Sequence, residues 1–432
     1  MINIEEYFNN YYKGTKEQSL KTMEYFLAKY NNFQEKMKFI HIAGTNGKGS
    51  CTEMISNILF KQGYKVGKFI SPHLIKYNER IIINNKEISD EKIAKIIIEL
   101  EPQIKQYETE ENTKVTFFEL ITLIAFIHFY RSKVDFVVLE TGLGGLYDCT
   151  NIINNTLVSV ITSIGYDHMK ILGNTLPQIA YQKAGIMKEN SNTVFFEQKD
   201  EINNVLKKVA KEKNNNLHII KNESITNYSF DNKYQYFDYE SYKRLEVVLK
   251  GKKQIQNAAI CIKCIDIIKE NGYKVSEKSI REGLKTVVHK ARMETLNKNP
   301  LVIFDGAHNE PAIENLHSMV EMYFKDYNRT YIVSILKRKD YKKMVELLLK
   351  DESAKFIFTT GNNEDRYTAK EELYNIAKKY RQANIEKMEL TDALKASLKN
   401  KETNCVYFVV GSFYTYKTTL DIIKENKLNS AE

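Results

Sequence analysis

A glycine-rich segment at residues 44–50 carries the clearest chemical signal in the sequence. It follows the apolar run KFIHIA and precedes the helical pattern CTEMISNILFKQG, so it predicts a turn between a strand and a helix. Glycine lets backbone N–H groups face a bound anion, the helix N-terminus adds partial positive charge, and Lys48 can reach a terminal phosphate. The predicted phosphate-binding residues are Gly44, Thr45, Asn46, Gly47, Lys48, Gly49 and Ser50.

This segment departs from the strict phosphate-loop pattern. Position 42 is Ile where the pattern has Gly, and the hydroxyl of Ser50 comes two residues after Lys48. A metal ligand therefore has to come from elsewhere in the chain. An ordinary glycine-rich turn without a ligand is the alternative that the pattern alone leaves open.

Strands and helices alternate on both sides of this turn. KFIHIAG, KVGKFIS, DFVVLET and LVSVITSI are strand candidates, and helical patterns separate them. Near-continuous apolar strands alternating with helices indicate a parallel sheet that is covered on both faces. Between residues 190 and 250 the pattern changes to a helix over residues 203–216 and then to Tyr-rich segments typical of antiparallel strands.

A second series of strands and helices begins after the polar turn LNKNP. LVIFDGAHN, TYIVSIL, KFIFTTG and CVYFVVGS each precede a helical stretch. Fresh alternation after a turn indicates a second, smaller α/β domain. We therefore predict two domains, residues 1–296 and residues 297–432.

Composition narrows the class of protein. The 432 residues include 64 Lys and Arg against 55 Asp and Glu, and this excess of positive charge is spread along the chain, so we expect no nucleic-acid partner. No apolar run reaches about 18 residues, and the N-terminus is acidic and polar, so we expect a cytoplasmic protein without a membrane partner. Cys261 and Cys264 form one C-x-x-C in a helical pattern without a second pair, which favours two helix residues over a zinc site.

Further motifs extend the signal over residues 44–414. After the glycine-rich turn they are Ser71-Pro72-His73-Leu74, Asn78-Glu79-Arg80-Ile81, Phe118-Glu119 with Thr122, Glu140-Thr141-Gly142-Leu143-Gly144-Gly145, Asp148 with Thr150-Asn151, Thr162-Ser163-Ile164-Gly165 with Asp167-His168, Ile171-Leu172-Gly173, Lys183-Ala184-Gly185-Ile186, Gln254 with Asn257-Ala258, Arg292 with Glu294, Asp305-Gly306-Ala307-His308-Asn309, and Gly411-Ser412 with Tyr414. The ordered series resembles the folylpolyglutamate synthase/dihydrofolate synthase family of the Mur ligase superfamily.

This resemblance implies a fold and a reaction. The fold is α/β, with an N-terminal P-loop Mur-ligase-type ATPase domain that has a parallel sheet and binds ATP and folate (residues 1–296), and a smaller C-terminal Rossmann-like glutamate ligase domain (residues 297–432). In the reaction, ATP phosphorylates a carboxylate, and the amine of L-glutamate then displaces phosphate to leave an amide, ADP and phosphate. The expected partners are ATP, L-glutamate and a folate or dihydropteroate, and we expect a monomer.

The favoured interpretation is an ATP-dependent amide ligase that adds L-glutamate to a folate (tetrahydrofolate polyglutamylation), to dihydropteroate, or to both. Two alternatives stay open. One is a Mur-type amide ligase with the same machinery that acts on a different carboxylate. The other is a non-catalytic ATP-binding module, although ligand binding alone would not require the full set of catalytic side chains.

The resemblance also assigns roles to side chains. It implies that Ser71, Glu140 and His168 hold Mg²⁺, an unusual set because Mg²⁺ prefers oxygen ligands. Lys48, Lys183 and His308 are implied to be catalytic, with Lys183 carbamylated. The residues implied to contact the nucleotide outside the turn are Gln254, Asn257, Arg292 and Asp305, which come from both domains, so we expect ATP between them. Phe118 and Asp148 are implied to contact the acceptor.

The chain departs from the family pattern at three positions near these residues. Leu146 stands where the family usually has Arg, Lys253 where it usually has His, and Gln182 where it usually has Glu. Replacing Arg by Leu removes a guanidinium that can bind an anion. These departures bear on the acceptor more than on ATP binding, since the glycine-rich turn, Glu140 and His168 are intact.

Overall fold

The computed structural model describes residues 2–13, 19–361 and 363–429. The chain divides into two compact units. The first comprises Met1–Val248 and Lys252–Val287, and the second comprises Leu249–Gly251 and Val288–Glu432. Residues 288–296 thus belong to the second unit, whereas the predicted boundary at 296/297 left them in the first. They lead into a strand that pairs within the second unit's sheet, which the polar LNKNP turn did not reveal.

The first unit is built on a large sheet covered by helices. Its strands are β1 (Phe39–Ala43), β2 (Val66–Phe69), β3 (Ile81–Ile83), β4 (Lys86–Glu87), β5 (Phe136–Glu140), β6 (Thr156–Ile161), β7 (Asn192–Phe196), β8 (Asn216–Ile220), β9 (Ile225–Phe230), β10 (Gln235–Tyr239) and β11 (Tyr242–Val247). Its helices are α1 (Ile4–Asn10), α2 (Lys21–Lys29), α3 (Lys48–Lys61), α4 (Asp90–Glu110), α5 (Phe117–Arg131), α6 (Met169–Leu172), α7 (Leu176–Ala184), α8 (Asp200–Glu212), α9 (Lys252–Glu270) and α10 (Glu277–Lys285).

The large sheet has the strand order β4-β3-β2-β5-β1-β6-β7-β8. Six neighbouring strands of this sheet pair in parallel, in the order β2-β5-β1-β6-β7-β8. Strands β3 and β4 add an antiparallel edge next to β2. Every residue of β1 and β5 is buried, as continuous apolar strands in a doubly covered sheet require. Because β5, β1 and β6 are neighbours, the loops that follow them start from one edge of the sheet.

The segment around residues 190–250 differs from the prediction in part. The predicted helix over 203–216 is α8, which ends at Glu212 because Asn214 adopts a left-handed backbone (φ 47°) and Asn216 already begins β8. Strands β7 and β8 were missed, and the short apolar runs TVFF and LHII are the signals that indicate them. The Tyr-rich segments do form antiparallel strands, in the order β11-β10-β9.

The second unit has its own sheet and core. Its strands are β12 (Glu294–Lys298), β13 (Leu301–Asp305), β14 (Asn328–Val333), β15 (Lys355–Phe358), β16 (Ile385–Lys387) and β17 (Cys405–Val410). Its helices are α11 (Glu310–Tyr323), α12 (Tyr341–Leu348), α13 (Lys370–Ala377), α14 (Leu390–Lys399) and α15 (Tyr416–Asn429). The strand order is β12-β13-β17-β14-β15-β16, parallel except for β12, so this unit is an α/β domain as predicted.

The cysteine pair lies inside a helix that supports the glycine-rich turn. Cys261 and Cys264 are buried in α9, which packs against α3, and the five cysteines are free thiols. Across the described ranges, no helix has both the length and the apolar character needed to cross a bilayer.

Candidate active site

The glycine-rich turn joins β1 to α3 in a conformation that requires glycine. Gly44 and Gly47 have φ values of 152° and 98°. A Cβ atom on Gly44 would lie 1.7 Å from Oγ1 of Thr162, and one on Gly47 would lie 2.9 Å from Oδ1 of Asn257. The first N–H groups of an α-helix have no intrahelical acceptor, so the start of α3 at Lys48 presents donors to an anion.

The segment after β6 braces this turn. Thr45 donates its N–H to the carbonyl of Ser163 at 2.7 Å and its hydroxyl to the carbonyl of Gly165 at 3.0 Å. The Ser163 hydroxyl in turn donates to the carbonyl of Asn46 at 2.9 Å. These contacts hold the turn in one shape before any ligand binds, which lowers the conformational cost of binding. Thr162-Ser163 and Gly165 carried no role in the sequence analysis, although their motif was visible.

Two lysines converge on one carbonyl of the turn. Lys48 Nζ lies 3.1 Å from the Gly44 carbonyl oxygen, and Lys183 Nζ, from the last turn of α7, donates to the same oxygen at 2.8 Å. Lys183 is 3% exposed. Burial, with the positive charge of Lys48 as a second cause, lowers the pKa of Lys183 to about 7, although Asp167 and Asp148 act in the opposite direction.

Glu140 and Ser71 lie together at the edge of the sheet. Glu140 is the buried last residue of β5 and pairs in register with Ile42, two residues before Gly44. The Ser71 N–H lies 3.4 Å from Oε2 of Glu140. A buried carboxylate beside the predicted phosphate-binding turn is placed to attract a cation.

His168 lies on the loop that follows β6, the strand on the other side of β1 from β5. It adopts a left-handed backbone (φ 51°) immediately before α6, and its Nε2 lies 3.7 Å from Oδ1 of Asp167. The backbone N–H of His168 donates to the same Asp167 oxygen at 2.9 Å. Asp167 therefore holds the His168 backbone and lies beside its ring, a role that the sequence reading did not assign.

These side chains suit Mg²⁺ only in combination with other oxygen ligands. Within the described part of the chain, no group of three or more His, Cys, Asp and Glu side chains is close enough to hold a metal ion. Mg²⁺ usually takes one or two carboxylates together with waters and substrate phosphates, so Glu140 and the adjacent Ser71 fit that pattern. The role of His168 as a ligand stays a prediction.

Helix α9 brings a further predicted nucleotide contact to the turn. The side chain of Asn257 lies against Gly47, and its Nδ2 donates to Oε1 of Gln254 at 3.1 Å. Both side chains are almost fully buried. The structure thus brings Asn257 to the turn, with Gln254 behind it.

Both predicted acceptor residues contact the turn that follows Glu140. A Cβ on Gly142 would lie 2.3 Å from Cζ of Phe118, so the Phe118 ring covers this glycine. The next residue, Leu143, donates its N–H to Oδ2 of Asp148 at 2.7 Å. Burial raises the pKa of Asp148, while the surrounding donors act to lower it.

In the second unit, the predicted residues gather around Gly306 at the end of β13. Asp305 accepts the N–H groups of Met293 and Ala307 at 3.0 and 2.9 Å. Burial raises the pKa of Asp305, against the lowering effect of the Arg292 charge. The Arg292 guanidinium lies 4.8 Å from the centre of the Phe413 ring.

His308 completes this cluster. Its Nδ1 lies 2.8 Å from the Gly306 carbonyl oxygen, and its ring centre is 5.3 Å from that of Phe413. Phe413 thus contacts both predicted residues, and a Cβ on Gly306 would lie 2.1 Å from its ring. The sequence reading missed Phe413, whose position directly after Gly411-Ser412 was the available signal.

Comparisons with known proteins agree across the chain. Residues 42–265 match the Mur ligase middle domain, and residues 287–422 match the dihydrofolate synthetase C-terminal domain. The dihydrofolate synthase/folylpolyglutamate synthase of Bacillus subtilis (strain 168) is 34% identical over 91% of this chain and 92% of its own. The dihydrofolate synthetase of Saccharomyces cerevisiae is 30% identical over 77% of this chain and 79% of its own.

Solved structures show the same two-unit architecture. The folylpolyglutamate synthase from Thermotoga maritima is 32% identical with a TM-score of 0.82, covering 98% of this chain and 96% of that one. Escherichia coli FolC in complex with DHPP and ADP is 27% identical with a TM-score of 0.84, covering 98% of this chain and 97% of that one. The predicted family and α/β fold are thereby confirmed. The chain belongs to the dihydrofolate synthase/folylpolyglutamate synthase family of Mur ligase-type enzymes.

Proposed function

We propose that this protein is an ATP-dependent ligase that joins L-glutamate to a folate, to dihydropteroate, or to both. ATP phosphorylates the acceptor carboxylate, the glutamate amine attacks the resulting acyl phosphate, and ADP and phosphate leave. The observation that carries the proposal is the pair of lysines on the Gly44 carbonyl, beside the buried Glu140. A glycine-rich turn without catalysis would not require two converging cations and a buried acid.

The chain's own groups match the needs of phosphoryl transfer, which depends on positioning and on charge stabilisation. We propose that N–H groups of residues 44–50 other than that of Thr45, which braces the turn, bind the phosphates, and that Lys48 exchanges its contact with the Gly44 carbonyl for a phosphate oxygen. Ser71, Glu140 and His168 would hold Mg²⁺, which supplies charge neutralisation on the phosphates when bound. Phe118 and Asp148 would contact the acceptor.

We propose nucleotide contacts in each unit, taken separately. Asn257 and Gln254 stand at the glycine-rich turn, so they are assigned to the nucleotide. Arg292, Asp305 and His308 form one cluster around Gly306. Arg292 and Asp305 are assigned to the nucleotide, and His308 is assigned as a catalytic group near the transferred phosphate. This assignment requires that substitutions in either unit impair ATP turnover.

We further propose that Lys183 is carbamylated. A pKa of about 7 leaves a large neutral fraction of the amine at physiological pH. The neutral amine attacks CO₂, an N–C bond forms and a proton is released, so a cation becomes an anion. With ¹³C-labelled bicarbonate, the wild type should show a carbamate carbon resonance that Lys183→Met lacks. A bare amine in well-ordered electron density from an unacidified crystal would contradict this proposal.

Phosphate release from ATP tests the function directly. The purified protein should release phosphate only when glutamate and an acceptor are both present. A panel that compares dihydropteroate with reduced folates identifies the acceptor. Phosphate release at the same rate with and without glutamate, or no phosphate release with any acceptor, would contradict the ligase assignment.

Leu146 is the reason to keep a second candidate, a Mur-type ligase for another carboxylate. Leu146 is half-buried, and its N–H donates to the Gln182 carbonyl at 2.8 Å, where the family usually carries a guanidinium. Turnover with non-pterin carboxylates and none in the folate panel would favour this candidate. For either reaction we propose that the protein is cytoplasmic and monomeric. Size-exclusion chromatography with light scattering checks the monomeric state.

A further inference from the structure

A buried histidine in the strand before the glycine-rich turn has no role in the proposed reaction. His41 lies in the middle of β1, fully buried, between Leu139 of β5 and Ser159 of β6 in register. Its Nε2 lies 2.9 Å from Oγ1 of Thr150. Its Nδ1 is buried and has no hydrogen-bond partner among the described residues.

The hydrogen bonds around Thr150 define a direction. Thr150 Oγ1 donates to Oδ1 of Asp148 at 2.5 Å, and the Thr150 N–H donates to the same oxygen at 3.1 Å. A hydroxyl has one proton, so Thr150 must accept from His41 rather than donate to it. The imidazole therefore carries its proton on Nε2, and the partnerless Nδ1 is the unprotonated nitrogen.

This chain of hydrogen bonds ends on two elements of the proposed active site. Asp148 uses its other oxygen, Oδ2, to accept the Leu143 N–H, so it holds the turn that follows Glu140. The Phe118 ring lies on the same turn at Gly142. The Nε2–H group of His41, 109 positions before Thr150 in the chain, thus orients the Thr150 hydroxyl and, through it, the carboxylate of Asp148.

We propose that His41 is a positioning residue for the acceptor site, acting through Thr150 on Asp148. The inference rests on the proposed function, in which Asp148 contacts the acceptor. His41 touches neither substrate nor nucleotide in this scheme. A buried polar ring that left Nε2 unused would only destabilise the strand, so the hydrogen bond to Thr150 gives its presence a physical reason.

Different replacements of His41 separate the loss of its hydrogen-bond donor from the loss of its packing. In Gln the amide nitrogen falls near the position of imidazole Nε2, whereas in Asn it falls near Nδ1. His41→Leu should raise the KM for the acceptor at least ~5-fold, as loss of one hydrogen bond in a charged network implies, while the KM values for ATP and glutamate change less than ~2-fold. His41→Gln should restore most of the acceptor KM, and His41→Asn should not.

A double-mutant cycle with Thr150→Val tests the path. If His41 acts through the Thr150 hydroxyl, His41→Leu should have no further effect on the acceptor KM in the Thr150→Val background. Thr150→Ser, which keeps the hydroxyl, is the matched control and should stay near the wild type. Equal fold-changes from His41→Leu in both backgrounds, or equal behaviour of the Gln and Asn variants, would overturn the proposal.

A spectroscopic readout keeps the test open if a variant fails to fold. In wild-type protein with ¹⁵N-labelled histidine, the His41 ring should show the Nε2–H tautomer, with the resonance assigned by its loss in whichever of the His41→Gln, His41→Asn and His41→Leu variants folds. An Nδ1–H tautomer would overturn the inference whatever the kinetics. Wild-type phosphate release is measured first, so its absence contradicts the proposed function, whereas an active wild type with the wrong tautomer or additive variants contradicts only the role of His41.

Discussion

Replacing Lys183 by Met should change how stability depends on pH. The variant removes the one charge on a side chain that is 3% exposed and packed beside Lys48. Lowering the pKa from its ordinary value of 10.5 to about 7 corresponds to about 5 kcal/mol, at about 1.4 kcal/mol per pH unit. This is the free-energy cost of keeping the protonated amine buried.

The sign follows from proton binding. Between pH 7 and pH 10.5 the folded amine is neutral while the unfolded amine is protonated, so the unfolded state binds more protons. The contribution of Lys183 to the free energy of unfolding therefore rises with pH in this window and is at its lowest below pH 7. From pH 6 to pH 9 the wild type should gain about 3 kcal/mol relative to Lys183→Met, which cannot titrate.

Urea unfolding of both proteins in CO₂-free buffer at pH 6, 7, 8 and 9 measures this difference. Removal of CO₂ keeps the amine from being converted to a carbamate during the titration. Lys61→Met, at the exposed end of α3, is the control for the loss of one lysine charge. A stability difference between wild type and Lys183→Met that stays constant from pH 6 to pH 9 would refute the reasoning. A difference that moves in favour of the variant as pH rises would refute its sign.

Three further predictions concern the glycine-rich turn and its neighbours. Lys48→Ala should lower turnover at least ~100-fold through loss of a main electrostatic stabiliser, while Lys61→Ala in the same helix stays near the wild type in the phosphate-release assay. Gly44→Ala should abolish ATP binding measured by calorimetry, because the added Cβ would lie 1.7 Å from Thr162 Oγ1; binding of ATP at wild-type affinity would contradict the geometry of the turn. Glu140→Gln should lower turnover at least ~10-fold and raise the Mg²⁺ concentration that gives the half-maximal rate, because the glutamine side chain carries no negative charge to attract the cation. An unchanged dependence of the rate on Mg²⁺ would contradict a role for Glu140 at the metal site.

The strand, turn and helix around residues 44–50 were readable from local sequence. The glycines at 44 and 47, the strand before them and the helix after them predicted the turn, because backbone conformation and helix start are short-range properties. The metal-binding role of Glu140 came from the family resemblance and stays a prediction. The ordered motifs identified the family, which the matches over residues 42–265 and 287–422 bear out.

The missed elements were those whose signals are short or lie far apart in the chain. Strands β7 and β8 have only three apolar residues each, and they become strands because β7 pairs with β6 and β8 pairs with β7. The domain boundary was placed at a polar turn, whereas the pairing of β12 with β13 decides it. Phe413 was passed over because only the folded chain puts its ring against His308.

By itself, the sequence determined the strand, turn and helix around residues 44–50, the buried strands β1 and β5, and the family that the chain resembles, since those depend on neighbours along the chain. Only the tertiary structure decided which charges meet. Lys183 reaches the Gly44 carbonyl from 139 positions away, and that approach, with burial beside Lys48, is what lowers its pKa. A sequence pattern contains the lysine, but its protonation depends on desolvation and on the charges that folding places around it.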